Sequence, residues 1–381
     1  MASTTTAPAS ATEFRPNPAS SEVTLERVNT PPAQTWNYLR ANDITLTVPA
    51  HSRKGDVYFA LPRLFEGIEC GMGQQVTDWV TSQAADARYV EVRVGERREE
   101  PIVVNAADEG TCDVGVMVRT GAEATVVVNA STSDGPDGTS AALVRIIAEK
   151  GARVHVLEFV TAGTAQQHLE SVGIRAEENA RVDVRQYFLG GSTMAAGLAC
   201  SLDGNNARID LSCRYFAHDQ QVFDINHVVR QRGRHTRANM SESGVLDGKA
   251  KKALRATIDL VHGSSGSEGS ELESVLVLSD DVTNKTMPVI LCDEDDVAGN
   301  HGATIGSVGP EQIQYLRDRG LTQEEAEALY VRALFDEALI AAPTPQVRAA
   351  VLARAEAVLG AQIASDLVYS RTGTSLLDEE A

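Results

Sequence analysis

The side chains best suited to hold a metal or act as a nucleophile are few in this sequence and widely spread. Five cysteines, Cys70, Cys112, Cys200, Cys213 and Cys292, are odd in number and form no Cys-x-x-Cys pair. That pattern argues against a disulfide framework, a structural zinc site and any cofactor held by four neighbouring thiolates. His301 follows Cys292 by nine residues, and a neutral imidazole and a thiolate are both good ligands for a transition metal. Asp295 and Asp296 lie between them, but adjacent strand residues point to opposite faces, so at most one serves a given site. Taken alone, His301 reads better as a turn histidine that satisfies backbone groups, and Cys292 as a small buried hydrophobe.

Other constellations carry less chemistry. His218, His227 and His235, spaced by 9 and 8 residues near Cys213, match no zinc pattern, and their locally basic segment HVVRQRGRHTR reads as a solvated strand edge. The stretch SSGSEGS at residues 264–270 lacks the Lys-Ser/Thr of a phosphate loop and reads as a turn. No Ser-His-Asp spacing or paired-carboxylate signature stands out.

The elements that must position these residues show themselves as a repeat. GAEATVVV, KGARVHVL, ENARVDVR and NNARIDLS each set an alanine two residues before a strand aliphatic: Ala124 before Val126, Ala152 before Val154, Ala180 before Val182 and Ala207 before Ile209. The alanines are 28, 28 and 27 residues apart. A fixed period of strand and turn units is the mark of a solenoid, because one coil cannot bury its inward face until neighbours stack on it. The pattern predicts a parallel β-helix over residues 89–306, with Arg153, Arg181 and Arg208 pointing out and Val154, Val182 and Ile209 pointing in. An antiparallel β-sandwich with accidental spacing is the alternative; it does not require even periods.

On either side the texture changes. Residues 1–35 are rich in Ala, Ser, Thr and Pro and are expected to be a flexible tail. Residues 36–88, with an amphipathic stretch from Trp36 to Leu46, are expected to form a helix-like or mixed cap. Residues 307–381 read as helical: Pro310 suits a first turn and Gly320 a stop. Thr322 and Glu325 make a capping box ahead of a stripe of Ala326, Leu329, Tyr330, Ala333 and Leu334. A further helix opens at Thr344-Pro345 with Val347, Val351, Val358 and Leu359, before a frayed TGTSLLDEEA end.

Composition narrows the partners. The formal charge of −19, from 34 basic and 53 acidic residues, repels phosphate backbones and anionic membranes. No stretch approaches the roughly 20 apolar residues of a membrane span, and the N-terminus lacks the features of a secretory signal, so a cytoplasmic protein with neither nucleic acid nor membrane as partner is expected. Aromatics make up only 5% of the chain, which speaks against a carbohydrate-active β-helix with aromatic sugar platforms.

One segment resembles a known family. Residues 293–339 contain Asp295-Asp296-Val297, His301-Gly302-Ala303-Thr304-Ile305-Gly306, Glu311-Gln312, Tyr315-Leu316, Arg319-Gly320 and Glu324-Glu325-Ala326. This order and spacing resemble the C-terminal signature of the SufB/SufD family of iron-sulfur cluster assembly scaffolds. SESGVLDGKAKKALRATIDL (241–260) and LVLSDDVTNKTMPVI (276–290) are similar to upstream passages of that family. The pattern is more like the D-type subunit: B-type chains tend to carry Glu where this chain has Gly302, and a cysteine six residues before the proline, where it has Val282. It departs from many D-type chains too, with Gly299 in place of a cysteine and Trp36-Asn37-Tyr38-Leu39 in place of Trp-Arg-Tyr-Thr.

The resemblance implies a right-handed parallel β-helix between helical ends and a scaffold without catalytic activity of its own. The implied partners are a SufB-like subunit and a SufC-like ATPase. Glu311, Tyr315, Leu316, Arg319, Leu329 and Ala333 would lie on the ATPase-docking helices. It further implies that His301 sits at the edge shared with the partner subunit, with Cys292 and Asp296 as further candidate ligands for iron or a transient cluster and no stably bound cofactor. A B-type subunit, or a homodimeric scaffold that itself carries the nascent cluster, is the alternative.

Overall fold

The computed structural model describes residues 21–33, 37–50, 59–84, 86–106, 110–132 and 138–361. Trp36, residues 1–20 of the expected tail and the TGTSLLDEEA end lie outside these. Sixteen of the strands wind into two eight-stranded parallel sheets. One sheet contains β3 (Ala87–Val92), β5 (Thr111–Val118), β7 (Gly138–Ala148), β9 (Gln166–Ala176), β11 (Thr193–Leu202), β13 (Val222–Gln231), β15 (Lys251–Leu260) and β17 (Thr283–Cys292). The other contains β4 (Ile102–Asn105), β6 (Glu123–Ala130), β8 (Arg153–Val160), β10 (Arg181–Phe188), β12 (Arg208–Ala217), β14 (Arg237–Leu246), β16 (Ser267–Val277) and β18 (Val297–Gly306). Consecutive strands fall in opposite sheets and next-but-one strands pair, which is the path of a β-solenoid and not of an antiparallel sandwich.

The inward and outward assignment follows the alternation of the sequence. Val154, Val182 and Ile209 are buried in one lumenal core, while Arg153, Arg181 and Arg208 are exposed. The corners are set by the residue before each repeat position: Gly121, Gly151, Asn179, Asn206, His235 and Gly266 all have φ between 56° and 75°. In that left-handed region glycine and asparagine are the least strained residues. Their amides stack coil on coil, from Gly121 to the Lys150 carbonyl through to Gly266 and the Asp296 carbonyl.

The register corrects one member of the expected repeat. Ala124 pairs with Val154, so the residue equivalent to Ala152, Ala180 and Ala207 is Ala122. The first interval is therefore 30 residues and not 28. A slip of two leaves every side chain on its own face, which is why the pattern of inward residues hid it.

The two outer faces are covered by the ends of the chain. Strand β1 (Glu22–Val28), inside the stretch expected to be a tail, pairs antiparallel with β2 (Ile44–Pro49). Alternating Leu25, Val28, Leu46 and Val48 are buried, and that burial offsets the cost of ordering the segment. The amphipathic stretch expected from Trp36 to Leu46 is only a short turn at Asn37–Leu39 before β2 begins, because Ile44, Thr45, Thr47 and Val48 favour the strand. With helix α1 (Gln74–Gln83), which buries Val76, Trp79 and Val80, this hairpin packs on Ala141, Leu143, Leu169 and Ala195 of the odd-numbered sheet. Gly71 and Gly197 let the two backbones meet there: a Cβ on Gly197 would lie 2.4 Å from the Gly71 carbonyl carbon.

A buried ion pair fastens this cap. Arg255 donates to both carboxylate oxygens of Asp224 (2.7 and 3.0 Å) and to the Ala41 carbonyl (2.6 Å), and Asn29 donates to Asp224 as well. On the even-numbered sheet, helices α3 (Gln323–Ala341) and α4 (Pro345–Leu359) lay Val331, Leu334, Phe335, Val347 and Val351 onto Val127, Phe159, Tyr187, Phe216 and Val245. These two helices thus cover the flank of the middle coils.

Replacing Arg255 by Ala leaves Asp224 as an uncompensated buried charge. The expected loss is about 3–5 kcal/mol of unfolding free energy, measured by urea denaturation.

Candidate functional site

The final coil carries the residues singled out for metal chemistry. β16 and β18 pair in register, so His301 lies beside Glu271, and the same file runs back through Met240 and Leu211 to Val184. That file faces the lumen in the earlier coils; among the described residues no coil lies beyond β18, and His301 is exposed. Cys292 ends β17, also exposed, with its Sγ 3.3 Å from the Glu294 carbonyl. Asp296 occupies the corner that follows, where its carboxylate accepts the Ser265 hydroxyl at 2.7 Å and its carbonyl accepts the Gly266 amide. Cys292 and Asp296 therefore belong to one corner, whereas His301 is four strand residues past Val297, roughly 13 Å along the strand. Among the described residues, no three His, Cys, Asp or Glu side chains are placed to hold a metal ion together.

The histidines near Cys213 separate completely. His218 stacks on Phe216 under helix α4 and pairs with Asp219 and Arg354. His235 forms a left-handed corner. His227, expected on a solvated strand edge, is fully buried in the lumen, because its place in β13 alternates with Ile225 and Val229 of the core.

His227 belongs to a group that the sequence did not disclose. Glu158, Gln186, Cys213, Glu242 and Glu273 occupy one lumenal file in five successive coils, and Ala303 continues it in β18. Across the lumen His227 Nδ1 is 3.0 Å from Glu242. Lys252 is ion-paired to Glu273, and its ammonium lies 5.4 Å from the centre of the Tyr215 ring. The Tyr215 hydroxyl donates to Glu273 at 2.7 Å. Nearer the N-terminal coils, Ser140 meets His168 Nδ1 at 2.9 Å, and His168 Nε2 meets Glu170 at 2.6 Å. The order Ser-His-Glu is that of a hydrolase triad, but His168 and Glu170 are sealed from solvent.

Burial governs the protonation of this file. It pushes Glu242 up to about 8, helped by the Glu273 charge and opposed by Lys252. Glu271 is likewise raised to about 8 by burial and by Glu242 and Glu273. Glu158 and Glu170 are raised well above the carboxylate range, chiefly by burial, while burial lowers His168 and His227 to about 3. The imidazoles are therefore neutral acceptors and donors, and the Ser140–His168–Glu170 chain is a neutral relay that lacks the ionised acid a triad needs. A signal was present in the sequence: Glu158, Glu242 and Glu273 stand at the inward parity of their strands, where Val or Ile is expected.

The C-terminal residues form a second surface. Glu311, Tyr315 and Leu316 of helix α2 (Pro310–Arg317) and Tyr330 of α3 line an open cleft of about 320 Å³. Arg319 stacks on the Tyr315 ring at 3.6 Å. The expected stripe on α3 divides: Ala326 and Leu334 are buried with Val331, Phe335, Ala338 and Leu339, whereas Leu329, Tyr330 and Ala333 are exposed.

Two parallel sheets wound into one solenoid, with apolar helices laid along its flank, define a β-solenoid protein. Residues 103–334 match the family described as SUF system FeS cluster assembly, SufBD core domain, and the chain belongs to that family. It is similar to the iron-sulfur cluster assembly protein SufD of Escherichia coli (strain K12), at 22% identity over 285 residues, covering 72% of this chain and 67% of that one. An iron-sulfur cluster assembly SufBD family protein of Mycobacterium leprae is 27% identical over 303 residues, 75% of this chain and 76% of the relative. The SufD of Bacillus subtilis is 29% identical over 131 residues, 34% and 30% of the two chains. Among the described residues no helix is long and apolar enough to cross a membrane.

The raised carboxyls have a thermodynamic sign. Between about pH 6.5 and about pH 8 the folded chain holds protons on Glu242 and Glu271 that the unfolded chain has lost, so stability falls as pH rises, by up to about 1.4 kcal/mol per pH unit for each group. Glu242→Gln is expected to remove one such contribution and flatten the slope in urea denaturation series across this window.

Proposed function

We propose that this chain is a D-type, non-catalytic scaffold subunit of the SUF machinery, and that its open final coil is the surface on which a SufB-like subunit pairs. What carries the reading is the exposure of β18 together with the lumenal register of His301: a residue type suited to iron stands at the mouth of a solenoid that the described residues leave uncovered. Burial also declines steadily from β14 through β16 to β18, as expected of coils that find their cover on another molecule. Iron or a cluster intermediate bound there is transient cargo, with His301 as a ligand and Cys292 and Asp296 at the adjacent corner. Membership of the family and the similarity to SufD relatives support this reading.

The helical surface supplies the second contact. Glu311, Tyr315, Leu316, Arg319, Leu329 and Ala333 would receive the SufC-like ATPase: a small cleft lined by exposed Tyr315 and by Leu316, together with exposed Leu329, suits an apolar anchor from a partner. Nucleotide-driven movement of the ATPase would then act through α3, whose Glu337 is bonded to Arg214 of the solenoid at 3.1 Å.

Two experiments test the assignment. Co-expression with a SufB-type subunit and a SufC-type ATPase should yield a co-purifying complex, and Tyr315→Glu with Leu316→Glu should release the ATPase but keep the other subunit. In that complex His301→Ala should slow cluster reconstitution by roughly tenfold or more; a normal rate with an intact complex removes the ligand role and leaves the scaffold.

A further inference from the structure

One file on the outer face of the even-numbered sheet is built from like charges. Arg153, Arg181, Arg208 and Arg237 are register partners in four successive coils, between Glu123 of β6 and Glu268 of β16. All four are exposed. Strand pairing sets them about 4.8 Å apart, and like charges directly opposite one another on a sheet are unfavourable. Among the described residues only Arg237 meets a carboxylate, Glu268 at 3.3 Å, whereas the guanidinium groups of Arg153, Arg181 and Arg208 have neither an ion pair nor a hydrogen bond. Elsewhere in this chain of net charge −19 the pattern is the reverse: Arg119, Arg145, Arg214, Arg230 and Arg255 each pair with an acid.

The neighbouring positions make this a narrow rail and not a broad basic patch. The next outward file contains His155, Asp183 and Asp210. Asp183 turns to His155 at 3.7 Å and Arg185 at 3.2 Å, and Asp210 accepts from the Asn239 amide at 2.8 Å. These carboxylates flank the arginines and repel a second row of negative charge. Farther along the strands the same face is apolar and carries helices: α3 and α4 cover Val127, Phe159, Tyr187, Phe216 and Val245, one residue from each of five coils. The arginines, each the first residue of its strand, stay outside that cover.

We propose that the arginine rail docks an acidic helix of a partner protein, laid along the solenoid axis and presenting one carboxylate per turn. The spacing suits it: a helix repeats every 5.4 Å or so and the coils about every 4.8 Å, so across four arginines the two drift apart by only about 2 Å, within the span of long side chains. An extended strand presents same-face side chains about 6.6 Å apart and drifts by about 5 Å over the same length. Each guanidinium can then take a carboxylate through two parallel hydrogen bonds. A nucleic-acid backbone fits worse, because the overall charge of the chain, with Asp183 and Asp210 beside the rail, repels it. The rail runs from β8 to β14 and shares no residue with β18 or with the cleft at Tyr315, so its test is separate from that of the scaffold.

Fluorescence anisotropy measures the contact, with the full chain titrated into a labelled alanine-based helical peptide of about 16 residues carrying one glutamate per turn on one face. Saturable binding is expected, lost when the glutamates are replaced by glutamine and weakened by added salt. Arg181→Gln with Arg208→Gln should weaken it about tenfold. Lys249→Gln with Lys251→Gln removes the same charge from exposed positions beyond the far end of β14 and should change it by less than about twofold. If the double arginine variant fails to fold by circular dichroism, Arg208→Gln alone supplies the comparison. No binding of the glutamate peptide, equal losses in the arginine and lysine variants, or tighter binding of single-stranded DNA than of the peptide overturns the proposal. Self-association of the chain that the arginine variant abolishes overturns it too, by giving the rail to a second copy.

Discussion

In-register stacking of left-handed corners is the constraint from which the other features follow. Each corner amide reaches the carbonyl of the next coil, so a strand cannot shift without breaking its corner as well as its ladder. Because pairing is parallel and in register, any position in one coil repeats directly above its equivalent in the next. Side chains therefore accumulate in files, and a file of valines or a file of acids is equally a product of this geometry. The core, the lumenal carboxyls and the placement of His301 all derive from that single rule.

How much of this could be read from the sequence depends on what each signal measures. The strand and corner period is a local property, and residues such as Ala152, Asn179 and Ala180 disclosed the solenoid directly. Parity along a strand was readable too, since Arg153 and Val154 fall on opposite faces as expected. The match between Ala124 and Ala152 failed because a shift of two preserves parity, and only hydrogen-bond register tells one rung from another. His227 was misread for a different reason: its neighbours Arg230, Arg232 and Arg234 made the segment look solvated, although alternate positions of one strand can face water and core. For the C-terminal helices, spacing identified an apolar stripe, but Leu329 and Ala333 cannot be assigned to core or surface without knowing which sheet lies beneath.

The lumenal acids show what a narrow β core tolerates. A globular core would have to surround each carboxyl with donors, whereas here the files bring acids, imidazole, ammonium and phenol within reach across a short gap. Neutralisation by protons and one ion pair substitutes for hydration. The same carboxyls make the folded chain sensitive to alkaline conditions, so an arrangement costly to stability occupies the coils adjoining the candidate interface. Earlier coils hold further polar side chains in the lumen, Ser140, His168, Glu170, Glu158 and Gln186, among a mostly aliphatic core.

The N-terminal hairpin has a consequence for how the molecule is made. Asn29 bonds Asp224, 195 residues later, and the Ala41 carbonyl accepts from Arg255, 214 residues later. At synthesis rates of about 5–20 residues per second, these two contacts wait roughly 10–40 s for β13 and β15. The apolar side of the hairpin is served sooner, because Ala141, Leu143, Leu169 and Ala195 of β7, β9 and β11 are made before those strands. Completion of β13 and β15 is therefore the event that locks the hairpin in place.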